Sequence, residues 1–294
     1  RRLSLVGSEM CIRDRSIVVK NNLLATKGRM LLLGRTGSIG ACENFAVRVW
    51  DTLEFSDGES LTIFCLWKPW ENAENAFVQS TGSTNDDLFK KSGVGTHIST
   101  PLQTAGRGRR DRKWNSIEGC YAGSWIVAED TEVNPGLLQL SGGLAVINSI
   151  QSDRLKLKWP NDILIDERKL CGVLVEGKSS QDSSKVVLGI GINLHASDKV
   201  IDGREISTLD EIEKLDFKLL DRRLNSELSS LIEERDDIPS VSFDSIRAEI
   251  LSHMKSLGRP RYCEVTYENF DLNERGELVL GHNVIDDGED VSWV

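Results

Sequence analysis

KWPNDILIDERKLCGVLVEG, residues 158–177, is the stretch on which the fold turns. DILI and KLCGVLVEG are apolar runs of strand length, and the polar break DERK between them reads as a hairpin connection. Pro160 fixes the turn before them and keeps Trp159 out of the helical region. The preceding LKLKW is therefore a strand that ends at a corner carrying Lys158, Asn161 and Asp162. An ordinary polar turn would account for any one of these residues. A strand end that gathers all three, followed by a hairpin bearing Lys169, is better explained as the rim of a site. Lys169 is a compact point charge that can follow a phosphate through a reaction.

Working outward, VLGIGINL (187–194) is a further strand, with Gly189, Gly191 and Asn193 on one face. Tight sheet packing and close approach of a ligand both account for those glycines. LLQLSGGLAVINSIQ (137–151) has helical apolar spacing through Gly142 and Gly143. STGSTNDDLFKK (80–91) offers hydroxyl and amide caps, with Asp86 and Asp87 in the first helical turn. Ser207 or Thr208 caps a helical stretch up to residue 236, where Leu220, Leu224, Leu228 and Leu231 give one or two helices a face to lay on the sheet. After Pro239, RYCEVTY, GELVLG and DVSWV read as short strands of a small β domain at 256–294. Residues 16–76 also read as short strands (MLLLG, VRVW, LTIFCLW). The segment GRTGSIG (34–40) is not spaced as a dinucleotide fingerprint and reads as a turn. The string RRLSLVGSEMCIRDR (1–15) resembles a translated linker and is set aside from fold reasoning.

TAGRGRRDRKW (104–114) crowds Arg107, Arg109, Arg110, Arg112 and Lys113 around a single acid, Asp111, in a chain of net charge −10. Gly106 and Gly108 let backbone N–H groups approach a ligand. Arg107 and Arg109 share a side if the segment is extended. Trp114 adds an aromatic plane. This composition suits a flexible loop that wraps a phosphate and a carboxylate, each charge-assisted bond contributing about 1.5–3 kcal/mol. Such charges are expected to lack partners until an anion arrives. The P-loop pattern is absent. The acidic balance argues against broad binding to nucleic acid or anionic membrane, so the anion must be small and met locally. No apolar run approaches the roughly 18 residues of a membrane span. The six cysteines form no C-x-x-C pair and the four histidines have no metal-ligand spacing, so no metal site is expected. The thiols read as reduced, in a cytoplasmic protein.

GSTND, QTAGRGRRDRKW, KWPNDILIDERKLCGVLVEG and GIGIN, in that order and spacing, resemble the catalytic core of the biotin protein ligases. The likeness is strong over 77–236 and fainter through LGRPRYCEVTY, which resembles that family's small C-terminal β-barrel. It implies an α+β fold: a mixed, mostly antiparallel sheet covered by helices, like a class II synthetase. The catalytic domain would be 77–255 and the small β domain 256–294, after a region 16–76 of unknown role that does not read as helix-turn-helix. The implied reaction uses ATP and biotin as substrates, with Mg²⁺ accompanying ATP. Biotinyl-AMP forms first, and a lysine of a biotin carboxyl carrier protein then takes the biotin. By the same resemblance, Ser83, Thr84 and Gln103 would bind the ureido head, with Asn85 supporting the turn. Arg107, Gly108 and Arg109 would close over the ligand. Arg112 and Trp114 would face the nucleotide. Lys169 would bridge carboxylate and α-phosphate, with Arg109 as its catalytic partner. Asn161, Asp162 and Asn193 would line the nucleotide or Mg²⁺ side, and Gly172, Gly189 and Gly191 would make room for the biotin ring. No nucleic-acid or membrane partner is expected, and a homodimer stays open.

Two rival readings stand beside this one. A lipoate or octanoyl ligase of the same superfamily would lack the basic loop beside KWPND. A catalytically weak biotin or adenylate sensor would keep the binding groups. The family's loop usually reads G-R-G-R-x-G-R, and Asp111 stands where its last glycine is expected. An acid there can pair with a neighbouring arginine and stiffens the loop. Asp111→Gly should therefore form adenylate faster or bind ATP more tightly, as read by pyrophosphate release. Equal rates and equal ATP affinity would remove Asp111 from the account.

Overall fold

A computed structural model describes residues 25–26, 29–35, 46–54, 60–67, 70 and 73–294, except 111, 117–118, 181–182, 196–199, 202 and 238. The linker-like string 1–15, most of GRTGSIG and Asp111 lie outside the described residues. The chain divides into two units, Arg1–Glu71 and Asn72–Val294. In the first, β1 (Ala25–Thr26), β2 (Arg29–Arg35), β3 (Ala46–Glu54) and β4 (Ser60–Trp67) form an antiparallel sheet in the order β1-β2-β4-β3. Its three longer strands contain MLLLG, VRVW and LTIFCLW, the runs read as strands.

The second unit is built on a seven-stranded sheet. Its strands are β5 (Asn75–Phe77), β6 (His97–Thr100), β7 (Cys120–Glu129), β8 (Leu155–Lys158), β9 (Asp162–Ile165), β10 (Arg168–Ser179) and β11 (Ser184–Asn193), in the order β5-β6-β7-β11-β10-β9-β8. Every pairing is antiparallel except β5 with β6. Asp166 and Glu167 both take positive φ, 48° and 68°, which closes the β9–β10 hairpin in the tight form that matches strand twist. A bulge between Lys169 and Cys171 shifts the register of that hairpin. It reverses which residues of β10 face outward. Lys169 lies before it, and Gly172, Leu174 and Glu176 lie after it, yet all four line the same cavity.

The helices are α1 (Thr84–Leu88), α2 (Pro135–Ile150), α3 (Phe217–Asp237) and α4 (Pro239–Lys255). The glycines of α2 bring it against the sheet: a Cβ on Gly142 would stand 2.8 Å from Val173, and one on Gly143 3.3 Å from Leu157. Leu220, Leu224, Leu228 and Leu231 of α3 are wholly buried, as their spacing predicts. Helix α4 is an addition to the sequence reading, which took Pro239 as a boundary after which strands begin. Proline opens the helix at its first position, where its missing N–H costs nothing. Ile246, Ile250 and Met254, four residues apart, form its buried stripe. Short strands β12 (Val200–Ile201) and β13 (Arg204–Glu205) pair with each other ahead of α3. Among the described residues no helix is long and apolar enough to cross a membrane.

The C-terminal strands form two three-stranded antiparallel sheets. One is β15 (Val265–Thr266), β14 (Pro260–Tyr262) and β19 (Val291–Trp293); the other is β16 (Asp271–Leu272), β17 (Leu278–Leu280) and β18 (Asn283–Ile285). They are tied to the main sheet through the Trp-Pro corner. Trp159 is buried, its peptide bond to Pro160 is cis, and its indole N–H donates to the Gly276 carbonyl at 2.9 Å. Gly276 has φ 72°, and a Cβ there would stand 2.8 Å from the Gly136 backbone, so only glycine fits.

A buried polar network pins α3 to the sheet. His97 stacks on Trp125 with ring centroids 4.2 Å apart. Its Nδ1 lies 2.9 Å from the Ser124 carbonyl and its Nε2 2.8 Å from Asp221 Oδ1. Tyr121 donates to the same carboxylate at 2.7 Å. Burial pushes the Asp221 carboxyl up, but His97 and Tyr121 outweigh it and hold its pKa below the ordinary value. A carboxyl depressed in the folded state stabilises above its unfolded pKa, about 3.9, and that contribution fades as pH falls through the folded value. Asp221→Asn should thus lose about 1.5–3 kcal/mol at pH 7, the range for a hydrogen bond to a charged group. In chemical denaturation the gap between variant and wild type should close as pH falls below about 4. A constant gap across that window would contradict this assignment.

Candidate functional site

A cavity of about 310 Å³ opens on the sheet face formed by β7, β11 and β10. Its floor is glycine. Gly172 and Gly191 are directly paired across β10 and β11, and Gly189 is paired with Ser124. Gly123 on β7 also lines it. The space opened by these glycines is in use: a Cβ at 191 would stand 2.5 Å from the Trp114 ring, and one at 189 would stand 2.6 Å from Asn85 Oδ1. What approaches these two glycines in the structure is a pair of side chains at the cavity wall.

At one end, α1 presents Ser83, Thr84 and Asn85, all buried. Ser83 occupies the N-cap in an extended conformation but makes no side-chain capping bond. Gln103 Oε1 accepts from the Thr84 N–H at 2.8 Å and lies 3.0 Å from its hydroxyl. This end therefore carries hydroxyls and amides without net charge.

The basic stretch forms a short hairpin over the other end. Trp114 N–H donates to the Gly106 carbonyl at 3.0 Å and Gly108 N–H to the Arg112 carbonyl at 2.7 Å. A Cβ on Gly106 would stand 2.6 Å from the Trp114 carbonyl, which excludes any larger residue. The expectation of cations without partners is corrected here. Arg107 is held by two carboxylates: it donates to Glu176 at 2.9 and 3.1 Å and to Asp86 at 2.5 and 3.1 Å. Its hydrogen bonds to Asp86 and Glu176 drive its pKa further up, and the Arg107 bond holds Asp86 below the ordinary carboxyl value. Arg110 pairs with Asp287, Arg112 pairs with Glu289 at 2.5 Å, and Arg109 stands 3.8 Å from Asp287. Net acidity supplies these partners from distant sequence. Arg109 is the least well matched: burial, then the neighbouring Arg110, pull its pKa down.

Lys169 closes the wall opposite. Its Nζ is 2.7 Å from Asp162 Oδ1, an ion pair that is off the hydrogen-bond direction, and 5.8 Å from the centroid of the Trp114 ring. The Trp114 Nε1 is buried without a hydrogen-bond partner among the described residues. Asn161 Nδ2 donates to the Val173 carbonyl at 3.0 Å and so fixes the corner after Pro160.

Of the residues singled out in sequence, Ser83, Thr84, Asn85, Gln103, Arg107, Gly108, Arg109, Arg112, Trp114, Asn161, Asp162, Lys169, Gly172, Gly189 and Gly191 all line this one cavity. Asn193 does not. It is buried behind the wall, where its amide donates to the carbonyls of Lys169 and Ser207 at 3.3 and 3.2 Å. It braces the strand that carries Lys169. The sequence reading missed Glu176, which shares its outward register on β10 with Gly172 and Leu174. It also missed Asp287, Gly288 and Glu289, which form one edge of the cavity about 180 residues from the arginines. No local pattern marks them. Cys171, directly beneath, is raised by burial and is chemically quiet. Among the described residues no group of His, Cys, Asp and Glu is arranged to hold a metal by itself.

Comparison with known proteins follows the same outline. A sequence model of the biotin/lipoate A/B protein ligase family matches residues 75–193. The biotin–[acetyl-CoA-carboxylase] ligase of Mycobacterium tuberculosis is 31% identical over 236 residues, 73% of this chain and 86% of that protein. The bifunctional ligase/repressor BirA of Escherichia coli is 36% identical over 122 residues, 38% of each chain. The biotin protein ligase of Aquifex aeolicus, solved with biotin and ATP, superposes with a TM-score of 0.59 and 27% identity, covering 74% of this chain and 97% of that one. At that identity, and over that share of the mycobacterial enzyme, the chain belongs to the biotin–[acetyl-CoA-carboxylase] ligase family.

Proposed function

We propose that the chain is a biotin protein ligase that joins biotin to ATP, forms biotinyl-5′-AMP and transfers the biotin to a lysine of a biotin carboxyl carrier protein. The observation that carries this reading is the placement of Arg109 and Lys169 on one cavity whose other end is an uncharged set of hydroxyls and amides. Biotin has the matching polarity. Its urea needs donors and acceptors, its ring needs an open floor, and its carboxylate must meet a phosphate. The urea lies against Ser83, Thr84 and Gln103, and the carboxylate extends toward Lys169.

The first step is displacement at phosphorus. A biotin carboxylate oxygen bonds to the α-phosphorus of ATP, the bond from that phosphorus to the bridging oxygen breaks, and pyrophosphate leaves with the electron pair. Two unit charges 4 Å apart at an effective dielectric near 20 repel by about 4 kcal/mol. Two charge-assisted bonds, from Lys169 and Arg109, at about 1.5–3 kcal/mol each, offset that. The protein therefore contributes position and countercharge. In the second step the neutral ε-amine of the carrier lysine attacks the acyl carbon. AMP leaves, and the amine gives up a proton. Magnesium brought with ATP would supply countercharge to the phosphates, and Asp162 is the cavity carboxylate that would hold it, since this ion takes few protein ligands. Arg112 and Trp114 face the nucleotide. Residues 77–255 supply the reaction centre and 256–294 its Asp287–Glu289 edge. The free thiols of Cys120 and Cys171 and the use of ATP suit a cytoplasmic enzyme.

Incubation of the purified chain with biotin, ATP, Mg²⁺ and a carrier domain should add one biotinyl group to one lysine, read by intact mass. Lipoate should not compete. Lys169→Gln should slow adenylate formation by about 100- to 1000-fold, the scale for removing one group that stabilises transition-state charge. A chain that binds biotin but leaves the carrier unmodified would be a sensor, and a Lys169→Gln rate within tenfold of wild type would remove Lys169 from its role.

A further inference from the structure

Glu176 lies on β10 beyond the reacting end, and its carboxylate organises the uncharged end of the cavity. Its Oε2 accepts from Asn85 Nδ2 at 2.6 Å. A carboxylate only accepts, so the Asn85 amide must present its nitrogen to Glu176 and its oxygen to Ser124. The single hydroxyl hydrogen of Ser124 then goes to Asn85 Oδ1, 2.5 Å away. With that hydrogen used, Ser124 meets the Thr84 hydroxyl, at 2.6 Å, as an acceptor. The Thr84 hydrogen is thereby turned inward, toward Ser124 or toward Gln103 Oε1 at 3.0 Å. Gln103 Oε1 is already engaged by the Thr84 backbone N–H at 2.8 Å, which leaves the Gln103 NH₂ as the free donor.

We infer that Glu176 is a positioning residue that sets the donor–acceptor polarity of Thr84 at the urea end through the relay Glu176–Asn85–Ser124–Thr84, beside a Gln103 amide held by the Thr84 N–H. The relay leaves Thr84 Oγ1 with lone pairs and no hydrogen for a ligand, and Gln103 with N–H. An acceptor beside a donor is the complement of an N–H beside a C=O, the edge of a cyclic urea. Arg107 secures the arrangement by binding both oxygens of Glu176, so that the carboxylate cannot turn into the cavity. This assigns Arg107 to the relay rather than to direct ligand closure. Glutamine at 176 could either accept from Asn85 or donate to it. In the second case Asn85 and Ser124 reverse, Ser124 no longer accepts from Thr84, and the Thr84 hydrogen is freed to turn toward the ligand, while Gln103 stays fixed by the Thr84 N–H.

The inference rests on biotin being the ligand, and the test separates the two. In the full chain, Glu176→Gln should raise KM for biotin by about tenfold or more, as expected for a lost bond to a charged group. KM for ATP at saturating biotin should stay within twofold. The sharper readout is the dissociation constant for biotin, measured by calorimetry. In Glu176→Gln that constant should rise about tenfold, matching the lost polarity at Thr84. An unchanged biotin dissociation constant in a folded Glu176→Gln protein overturns the inference. So does an equal loss for biotin and ATP, which would mark Glu176 as merely structural. If that variant fails to fold, Ser124→Ala breaks the relay one link further on. It should weaken biotin and spare ATP, and undiminished biotin affinity would overturn the inference. A wild-type chain that binds no biotin overturns the ligase reading itself, along with this one.

Discussion

Lys169 stands 2.7 Å from Asp162 and shares a cavity with Arg109, although the two cations come from elements about 60 residues apart. That convergence is the constraint on which the rest of the site depends. Two anions that repel one another by several kcal/mol can meet only where fixed positive charge exceeds what the protein's own acids take up. The β10 bulge is what makes the meeting geometric rather than statistical. Simple alternation along the strand would put Lys169 and Gly172 on opposite faces. One inserted residue puts the lysine beside the glycine floor.

The acids around the loop divide into two kinds. Asp86 and Glu176 grip Arg107 from two elements of the main sheet layer, and that clamp is partly buried. Asp287 and Glu289 meet Arg110 and Arg112 at the cavity mouth, where more than half of each arginine side chain is exposed. Exposed pairs of this kind contribute about 0–1 kcal/mol, so phosphates can displace them at little cost. The partly buried clamp is harder to exchange, because it joins three charged groups and removing one partner would leave the others unmatched. Under the proposed reading Arg107 serves as scaffold for the site, while Arg109, Arg110 and Arg112 are left to a nucleotide.

Much of this was legible in sequence because local chemistry determined it. The DERK break, the glycine pair of β11 and the leucine stripe of α3 each follow from a spacing rule, and each takes the expected form. Helix α4 was not legible because proline both ends and begins helices, and the flanking sequence does not say which. Asn193 was read as a ligand group because its strand face matched that of Gly191. Its amide instead serves two backbone carbonyls that only the tertiary fold brings near. Glu176, Asp287 and Glu289 were invisible for the same reason. A charge run in sequence shows that countercharge is required, and the fold alone shows which acids supply it.

The placement of the two kinds of recognition has a physical logic. A neutral urea is distinguished only by the direction of its hydrogen bonds, so its binding groups must not turn. The groups proposed for it and their supports sit on α1, β7 and β10 and at Gln103, with Ser124 and Thr84 buried and each amide held by a partner of fixed polarity. A phosphate is distinguished by charge, which acts over distance and tolerates rotation of a guanidinium. The groups proposed for it sit on a hairpin with exposed arginines and exchangeable acids. Exchanging the two placements would fail both ways: a flexible urea site would lose its polarity to bond rotation, and a rigid buried arginine cluster would carry the cost of unpaired like charges whenever the nucleotide leaves.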